Sequence, residues 1–237
     1  MALADVRALT FDVFGTVVNW RDSIAREAQA LFAPKGFARD WHAFADRWRA
    51  RYRPAMDRIR SGEREWVKLD VLHRENLIEV LEEFKIAGLS AAEVDHLTRG
   101  WWRLDPWPDT VEGLNRLKRK FILATLSNGN IALMVNMAKY AHLPWDVILG
   151  SEIARAYKPS PEAYDRSAAA LDLAPGQCMM VAAHPGDLQA AAGRGFRTAY
   201  VDRPFEGGPP RPNAVNGTHG FDFVANSFTD LADKLGC

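Results

Sequence analysis

Cysteine is scarce: the 237-residue chain has two, Cys178 and Cys237. They share no metal-ligand or redox spacing, which leaves a disulfide framework or a cysteine-held zinc unsupported. Excess charge of one sign is also missing, with 30 basic side chains against 30 acidic ones. That balance argues against a nucleic-acid or anionic-membrane binder working through bulk charge, while leaving room for a local basic pocket for a small anion. No apolar run approaches the roughly 20 residues needed to cross a bilayer. Met1 to Arg7 has no basic stretch leading into an apolar one, so a signal peptide is not expected and a cytoplasmic location is. What is present is ordinary for a globular chain, 48% hydrophobic and 25% charged. The length suits one large or two small domains around a sizeable core.

Leu9 to Phe14 reads as a short buried strand that ends at Gly15-Thr16. Similar runs follow at Phe121–Leu126, Asp146–Leu149, Cys178–Ala182 and Thr198–Val201, with a weaker one at Phe221–Ala225. Helical patterns lie between them, such as Val111, Leu114 and Leu117, or Ala163 to Leu171; Ser160-Pro161 gives the latter a capping hydroxyl and a first-turn proline. This alternation predicts an α/β fold, a doubly wound, Rossmann-like parallel sheet. The stretch from 18 to 104 breaks it. Ile24, Ala28, Leu31 and Phe32 sit at helical spacing and stop at Gly36. Trp41, Phe44, Ala45, Trp48 and Tyr52 form a second stripe, Trp66 to Phe84 a third, and Ser90 to Glu93 is a capping box opening a fourth, with Leu97 and Trp101. The expected organisation is a core of residues 1–17 and 105–237 with an α-helical insertion at 18–104. Arg203 to Asn216, with four prolines and two glycines, reads as a surface loop.

Open α/β sheets bind ligands beyond the carboxyl ends of their strands. There the sequence delivers Asp12 and Thr16, then Ser127 and Asn128, then Lys158, then His184 and Asp187. Each alone has a plainer explanation. Asp12 could cap a turn, Ser127-Asn128-Gly129-Asn130 is a good turn sequence, and Lys158 before Pro159 could be a solvated lysine. Asp187 could simply favour the start of the following helix, and Tyr164, a candidate for the substrate pocket six residues past Lys158, could be packing. Their joint placement at successive strand ends points to one crevice.

Phe11-Asp-Val-Phe-Gly-Thr16, Leu126-Ser-Asn-Gly129, Tyr157-Lys-Pro159 and an acid after the fourth strand together resemble the haloacid dehalogenase superfamily. The resemblance spans the chain and makes the insertion that superfamily's helical cap. Its phosphatases carry a second Asp two residues after the nucleophile and hold Mg²⁺ partly through a Gly-Asp-x-x-x-Asp pattern. Here Phe14 stands at the first of these positions. With the pattern's last acid on Asp187, Ala183 stands where the metal-binding Asp belongs. An aromatic ring transfers no proton and an alanine offers no oxygen ligand. The chain therefore looks like the metal-independent 2-haloacid dehalogenase branch, with no cofactor.

That resemblance implies Asp12 as nucleophile, displacing halide from C2 of a small halogenated carboxylic acid, with water then cleaving the ester. Lys158 would keep Asp12 ionised, Asp187 would help activate water, Thr16 would orient Asp12, and Ser127 with backbone N–H groups would suit the substrate carboxylate. A cap arginine following a tryptophan, matched by Trp48-Arg49, would bind halide with Asn128, beside the aromatic Phe14. Periodicity alone leaves Arg49 and Arg51 equivalent. The family's usual Ser and Asn on the fourth loop are Ala182 and His184 here. His184 either replaces that Asn as a donor to halide or water, or is a structural histidine bonded to backbone. Trp101 and Trp102 could line the cap interface. Related enzymes are often homodimers. The alternatives are a phosphohydrolase of the same fold with unusual metal ligation, and a non-catalytic binder of a small acid.

Overall fold

The computed structural model describes residues 5–210 and 220–237. The strands, in chain order, are β1 (Ala8–Phe11), β2 (Val18–Asn19), β3 (Asp105–Pro106), β4 (Ile122–Ser127), β5 (Val147–Gly150), β6 (Cys178–Ala182), β7 (Arg197–Val201) and β8 (Phe223–Ala225). Six of them form one parallel sheet in the order β5-β4-β1-β6-β7-β8. Every residue of β1 is buried, as a central strand covered on both faces requires. Ala8 is in register with Ile122 of β4 on one side and Cys178 of β6 on the other. The sheet is therefore extended in both directions from β1, and the crevice beyond its carboxyl end is a topological switch point.

Beyond that end the chain leaves the sheet through β2 and returns through β3, which pair antiparallel, Val18 with Pro106 and Asn19 with Asp105. Between them lie α1 (Trp20–Phe32), α2 (Trp41–Ala50), α3 (Tyr52–Arg60), α4 (Leu69–Glu83) and α5 (Ala91–Thr98), the helical cap. Each boundary has a local cause. The Asn19 side chain accepts from the Asp22 N–H at the start of α1, and Gly36 ends that segment in a left-handed conformation at φ +82°. Asp40 caps α2, and Ser90 with Glu93 forms the expected capping box on α5. The cap is held by aromatic packing. Trp48 and Trp101 meet edge to face at 5.5 Å, and the Trp101 ring stacks on His73 at 4.4 Å.

After β3 come α6 (Thr110–Leu117), α7 (Ile131–Ala141), α8 (Ser151–Ala154), α9 (Pro161–Ala169), α10 (Pro185–Gly193) and α11 (Phe228–Lys234), the crossover helices of the core. Among the described residues no helix is long and apolar enough to cross a membrane.

Several expectations are corrected. The stripe from Trp41 to Tyr52 is two helices, because Pro54 lacks an N–H and its ring crowds the carbonyl four residues back. The third pattern begins at Leu69, not Trp66; Trp66 stays outside the helix and packs on Tyr157 at 6.1 Å. The first strand stops at Phe11; Asp12 keeps one further backbone bond to β6, and Val13 and Phe14 turn away over the strand end. The last strand begins at Phe223. The Ser160 hydroxyl makes no capping bond, although Pro161 does open α9. Of the segment read as a surface loop, residues 211–219 lie outside the described residues, while Arg203 and Glu206 are held inside. Arg203 donates to the Asp109 carboxylate at 2.7 Å and to the Thr16 carbonyl at 2.8 Å.

The packing of α6 on α11 yields a stability test. A Cβ on Gly113 would lie 2.4 Å from the Phe228 Cβ and 2.6 Å from its carbonyl carbon, whereas nothing lies within 4 Å of one on Gly193. Gly113→Ala should cost about 1–3 kcal/mol by overpacking. Gly193→Ala should be neutral or gain up to about 1 kcal/mol. Urea midpoints with unchanged slopes would measure both, and equal effects would contradict the close approach of the two helices.

Candidate active site

Asp12 continues the ladder one residue past β1, its N–H donating to the Val181 carbonyl at 3.0 Å. Gly15, at φ +86°, then turns the chain, so the Asp12 carboxylate stands over the sheet end at only 7% exposure. Three side chains reach it. Lys158 Nζ donates to Oδ1 at 3.0 Å, Thr16 Oγ donates to Oδ2 at 2.7 Å, and His184 Nδ1 lies 2.9 Å from Oδ2. Thr16 Oγ in turn accepts from the Ala183 N–H at 2.9 Å, tying the loop after β1 to the loop after β6. Lys158 also pairs with the Asp187 carboxylate, which accepts from the Tyr164 hydroxyl at 2.6 Å.

Burial pushes the Asp12 carboxyl up, but Lys158, His184 and Thr16 overcome it and hold the group far below the usual carboxylate range. Burial likewise opposes the charge on Lys158, and Asp12 and Asp187 reverse that, raising the ammonium above its ordinary value. Asp187 goes the other way. Burial lifts it, the nearby Asp12 charge adds to that, and Lys158 compensates only in part. The site thus pairs a firmly ionised acid with one of higher proton affinity, bridged by a single cation.

These groups open on a cavity of about 480 Å³ lined by Asp12, Phe14, Arg49, Asn128, Lys158 and Asp187 among others. Arg49 separates cleanly from Arg51. Its guanidinium carbon sits 4.1 Å from the Tyr52 ring centroid and 5.9 Å from that of Phe14, and its Nη1 is buried with no hydrogen-bond partner among the described residues. Arg51 is spent on Glu79 and Glu83 at the cap surface. Asn128 accepts the Lys158 N–H on its Oδ1 at 2.7 Å, which fixes its amide toward the cavity it lines. Phe14 packs edge-on against Trp101, His73 and Tyr52. Ser127 is brought near but not in: it is fully buried, its Oγ accepts from the Gly129 N–H, and it does not line the cavity. Trp101 belongs to the cap core, and Trp102 donates to Asp70.

His184 is bonded to carboxylates, not to backbone. Its Nε2 lies 3.0 Å from Glu206, whose Oε1 also accepts from Trp20 Nε1 at 3.1 Å. Burial opposes protonation of the ring, but the carboxylates on both sides push its pKa up to about 10. Both ring nitrogens are therefore donors, and both are taken, so no N–H is left for a halide. Glu206 had no signal in the sequence, since a glutamate in a proline-rich stretch reads as solvated. Gly15 is the nearest thing to one: a Cβ there would lie 2.0 Å from Glu206 Oε1, so the close approach requires glycine.

Comparison with known proteins settles the family. The model for haloacid dehalogenase-like hydrolases matches residues 6–195. The chain belongs to that family. Within it, the solved defluorinating L-2-haloacid dehalogenase Rha0230 is 50% identical with a TM-score of 0.95, covering 98% of this chain and 96% of that one. The solved L-2-haloacid dehalogenase PA0810 is 43% identical with a TM-score of 0.93, covering 98% and 99%. A curated relative, (S)-2-haloacid dehalogenase 4A of Burkholderia cepacia, is 27% identical over 86% of each chain.

Removing the bridging cation should show its role. In Lys158→Met two buried carboxylates face each other across the gap, and one of them will hold a proton into the neutral range. In the wild type the depressed Asp12 contributes stability above its unfolded pKa, lost only as pH falls through its lower folded value. A raised acid does the reverse, losing stability as pH rises. The deficit of Lys158→Met should therefore grow between about pH 5 and about pH 7.5, reaching roughly 3–5 kcal/mol by urea denaturation. An equal deficit at both pH values would contradict the bridge.

Proposed function

We infer that the chain catalyses L-2-haloacid dehalogenation, converting a 2-halo acid to a 2-hydroxy acid through an ester on Asp12. One observation carries this reading. The ionised, buried Asp12 shares its cavity with Phe14, which has no proton to give a leaving group, and with Arg49, whose Nη1 is uncommitted. An alkoxide leaving from a phosphate ester needs an acid at that point. A halide needs only a donor-lined, cationic place to go.

In the first step an oxygen of Asp12 attacks C2, and the carbon–halogen electron pair leaves with the halide toward Arg49 and the Asn128 amide. Direct displacement inverts the centre, so an L-2-halo acid gives a D-2-hydroxy acid. Gly186 lines the cavity in the first turn of α10, where its backbone N–H suits the substrate carboxylate. In the second step water attacks the Asp12 carbonyl carbon. Asp187, the acid of higher proton affinity, takes the water proton, and Lys158 supplies one to the departing hydroxy-acid oxygen. Proton return from Asp187 to Lys158 restores the pair, and the second water proton, left on the new Asp12 carboxyl, is released to solvent. Tyr164 fixes Asp187, and the cap helices exclude bulk water. No step calls for a metal ion.

The covalent step is tested by one turnover in ¹⁸O-labelled water with EDTA present. The product should be unlabelled, and repeated turnovers should load label onto Asp12. Asp12→Asn should lose activity by at least about 1,000-fold, because a neutral amide is a poor nucleophile. Label in the first product, or a strict Mg²⁺ requirement, would exclude the ester mechanism.

Arg49→Ala should cut halide displacement by about 100-fold or more, as loss of one preorganised donor to developing charge does. Arg51→Ala should stay within about 3-fold, since its partners are exposed surface carboxylates. Quenched-flow halide release compares the two, and the reverse order would mean that the wrong arginine has been assigned to the leaving group.

A further inference from the structure

The two oxygens of Asp12 are not equivalent. Oδ1 accepts one hydrogen bond, from Lys158, while Oδ2 faces both Thr16 and His184. An oxygen already engaged by two donors, one of them cationic, is the poorer nucleophile. Oδ1 is thus the oxygen that attacks, and Oδ2 becomes the carbonyl oxygen of the ester. When water adds to the carbonyl carbon, the π pair moves onto Oδ2 as a full negative charge.

We propose that His184, held by Glu206, and Thr16 form a charged oxyanion hole for Asp12 Oδ2 in the hydrolysis of the ester. The proposal rests on the dehalogenase reading and assigns His184 and Glu206 to its second step. Water oxygen bonds to the Asp12 carbonyl carbon and its proton passes to Asp187. As the intermediate collapses, the pair returns from Oδ2, the bond from that carbon to Oδ1 breaks, and Oδ1 leaves with the product, protonated by Lys158; Asp187 repays Lys158, and the proton left on the new oxygen of Asp12 goes to solvent. His184 gives up no proton. It lends a fixed positive charge and an N–H already in place before charge develops, which makes such donors effective.

Glu206 has a role that Asp12 cannot fill. In the resting site two carboxylates hold the imidazolium, Asp12 at 2.9 Å and Glu206 at 3.0 Å. Esterification neutralises Asp12. From then until the oxyanion forms, Glu206 alone keeps His184 charged. Glu206 is prepared for this: burial opposes its ionisation, but His184, Arg49 and the Trp20 N–H hold it below the usual carboxylate range. The other charges around His184 are Lys158, across Asp12, and Asp187, one turn along α10 and engaged by Lys158 and Tyr164. Gly15 leaves the space through which Glu206 reaches the ring.

The experiment uses the full chain with L-2-chloropropionate, following halide release by quenched flow and the intact mass of acid-quenched enzyme. Glu206→Gln keeps an acceptor for the ring but removes the charge, and His184→Ala removes the donor. In His184→Ala the first-turnover halide release should stay within about 3-fold, while steady-state turnover falls by roughly 100-fold, the usual effect of one oxyanion donor. A burst of one halide per site and an enzyme carrying the 1-carboxyethyl ester of Asp12 should result. Glu206→Gln should show the same burst with a deficit that grows as pH rises through neutrality, because its His184 deprotonates in the ester state. The wild type, in which Glu206 stays ionised beside the ring, should show no such deficit across neutral pH. A purely structural role would give a pH-independent loss in both steps. Equal slowing of both steps, or no ester accumulation in either variant, overturns the oxyanion hole while leaving the dehalogenase reading intact. Absence of halide release by the wild type would defeat that reading, and this proposal with it.

Discussion

The Lys158 side chain is 7% exposed and its ammonium lies between the carboxylates of Asp12 and Asp187, whose side chains are each 10% exposed. Burying any of the three charges alone would cost several kcal/mol. Together, with Thr16, His184 and Tyr164 filling the remaining acceptor positions, each is tolerated. The order of proton affinities follows from this sharing. Asp12 has two cations and a hydroxyl on it and stays ionised, whereas Asp187 has one cation and a neutral phenol and is lifted. The second cation on Asp12, His184, therefore separates two chemically identical acids that share Lys158 into different proposed roles.

Sheet topology brings this triad together without any residue being close in sequence. Asp12 ends the central strand, β1, Lys158 follows the strand at one edge, and Asp187 opens the helix after β6 on the other side. A parallel sheet extended in both directions from β1 aims all three into one crevice. The cap adds what the core lacks. Its aromatic cluster is rigid enough to hold the Arg49 guanidinium among Tyr52, Trp20 and Phe14. A guanidinium sandwiched between rings keeps its charge without a carboxylate partner, and so keeps a donor for an arriving anion.

Much of this was legible in the sequence, and the failures share a cause. Six strands, the helical insertion and the four strand-end motifs follow from alternation and spacing, which are local. The break between α2 and α3 was missed because the apolar stripe runs on through it, while Pro54 acts on the backbone. Lys158 and Tyr164 looked dull alone because burial and partners are set by distant segments. The choice of Arg49 over Arg51 came from resemblance; the structure supplies the physical reason, that Glu79 and Glu83 of α4 occupy Arg51. Ser127 was placed by its motif, yet its hydroxyl is used within the turn. Glu206 was invisible, since nothing in a proline-rich stretch says that one carboxylate turns inward.

The departures on the fourth loop make sense as a set. Where the resemblance leads one to expect a neutral amide, this chain has an imidazole, and an imidazole held by Asp12 alone would lose its carboxylate partner whenever Asp12 is esterified. A second carboxylate on its far side makes it a stable cation instead. That carboxylate must arrive from outside the motif. The described part of the segment after β7 supplies it, anchored by Arg203 to Asp109 and to the Thr16 carbonyl, and Gly15 makes room for it. The aromatic cap closes the other flank, with Trp20 of α1 donating to Glu206 at 3.1 Å. His184, Glu206, Gly15 and Trp20 are therefore one unit spread over four segments of chain. An isolated exchange of His184 for Asn would leave the Glu206 carboxylate buried without a cation in contact with it. Reverting this loop to the family's more usual form would require changing both residues together.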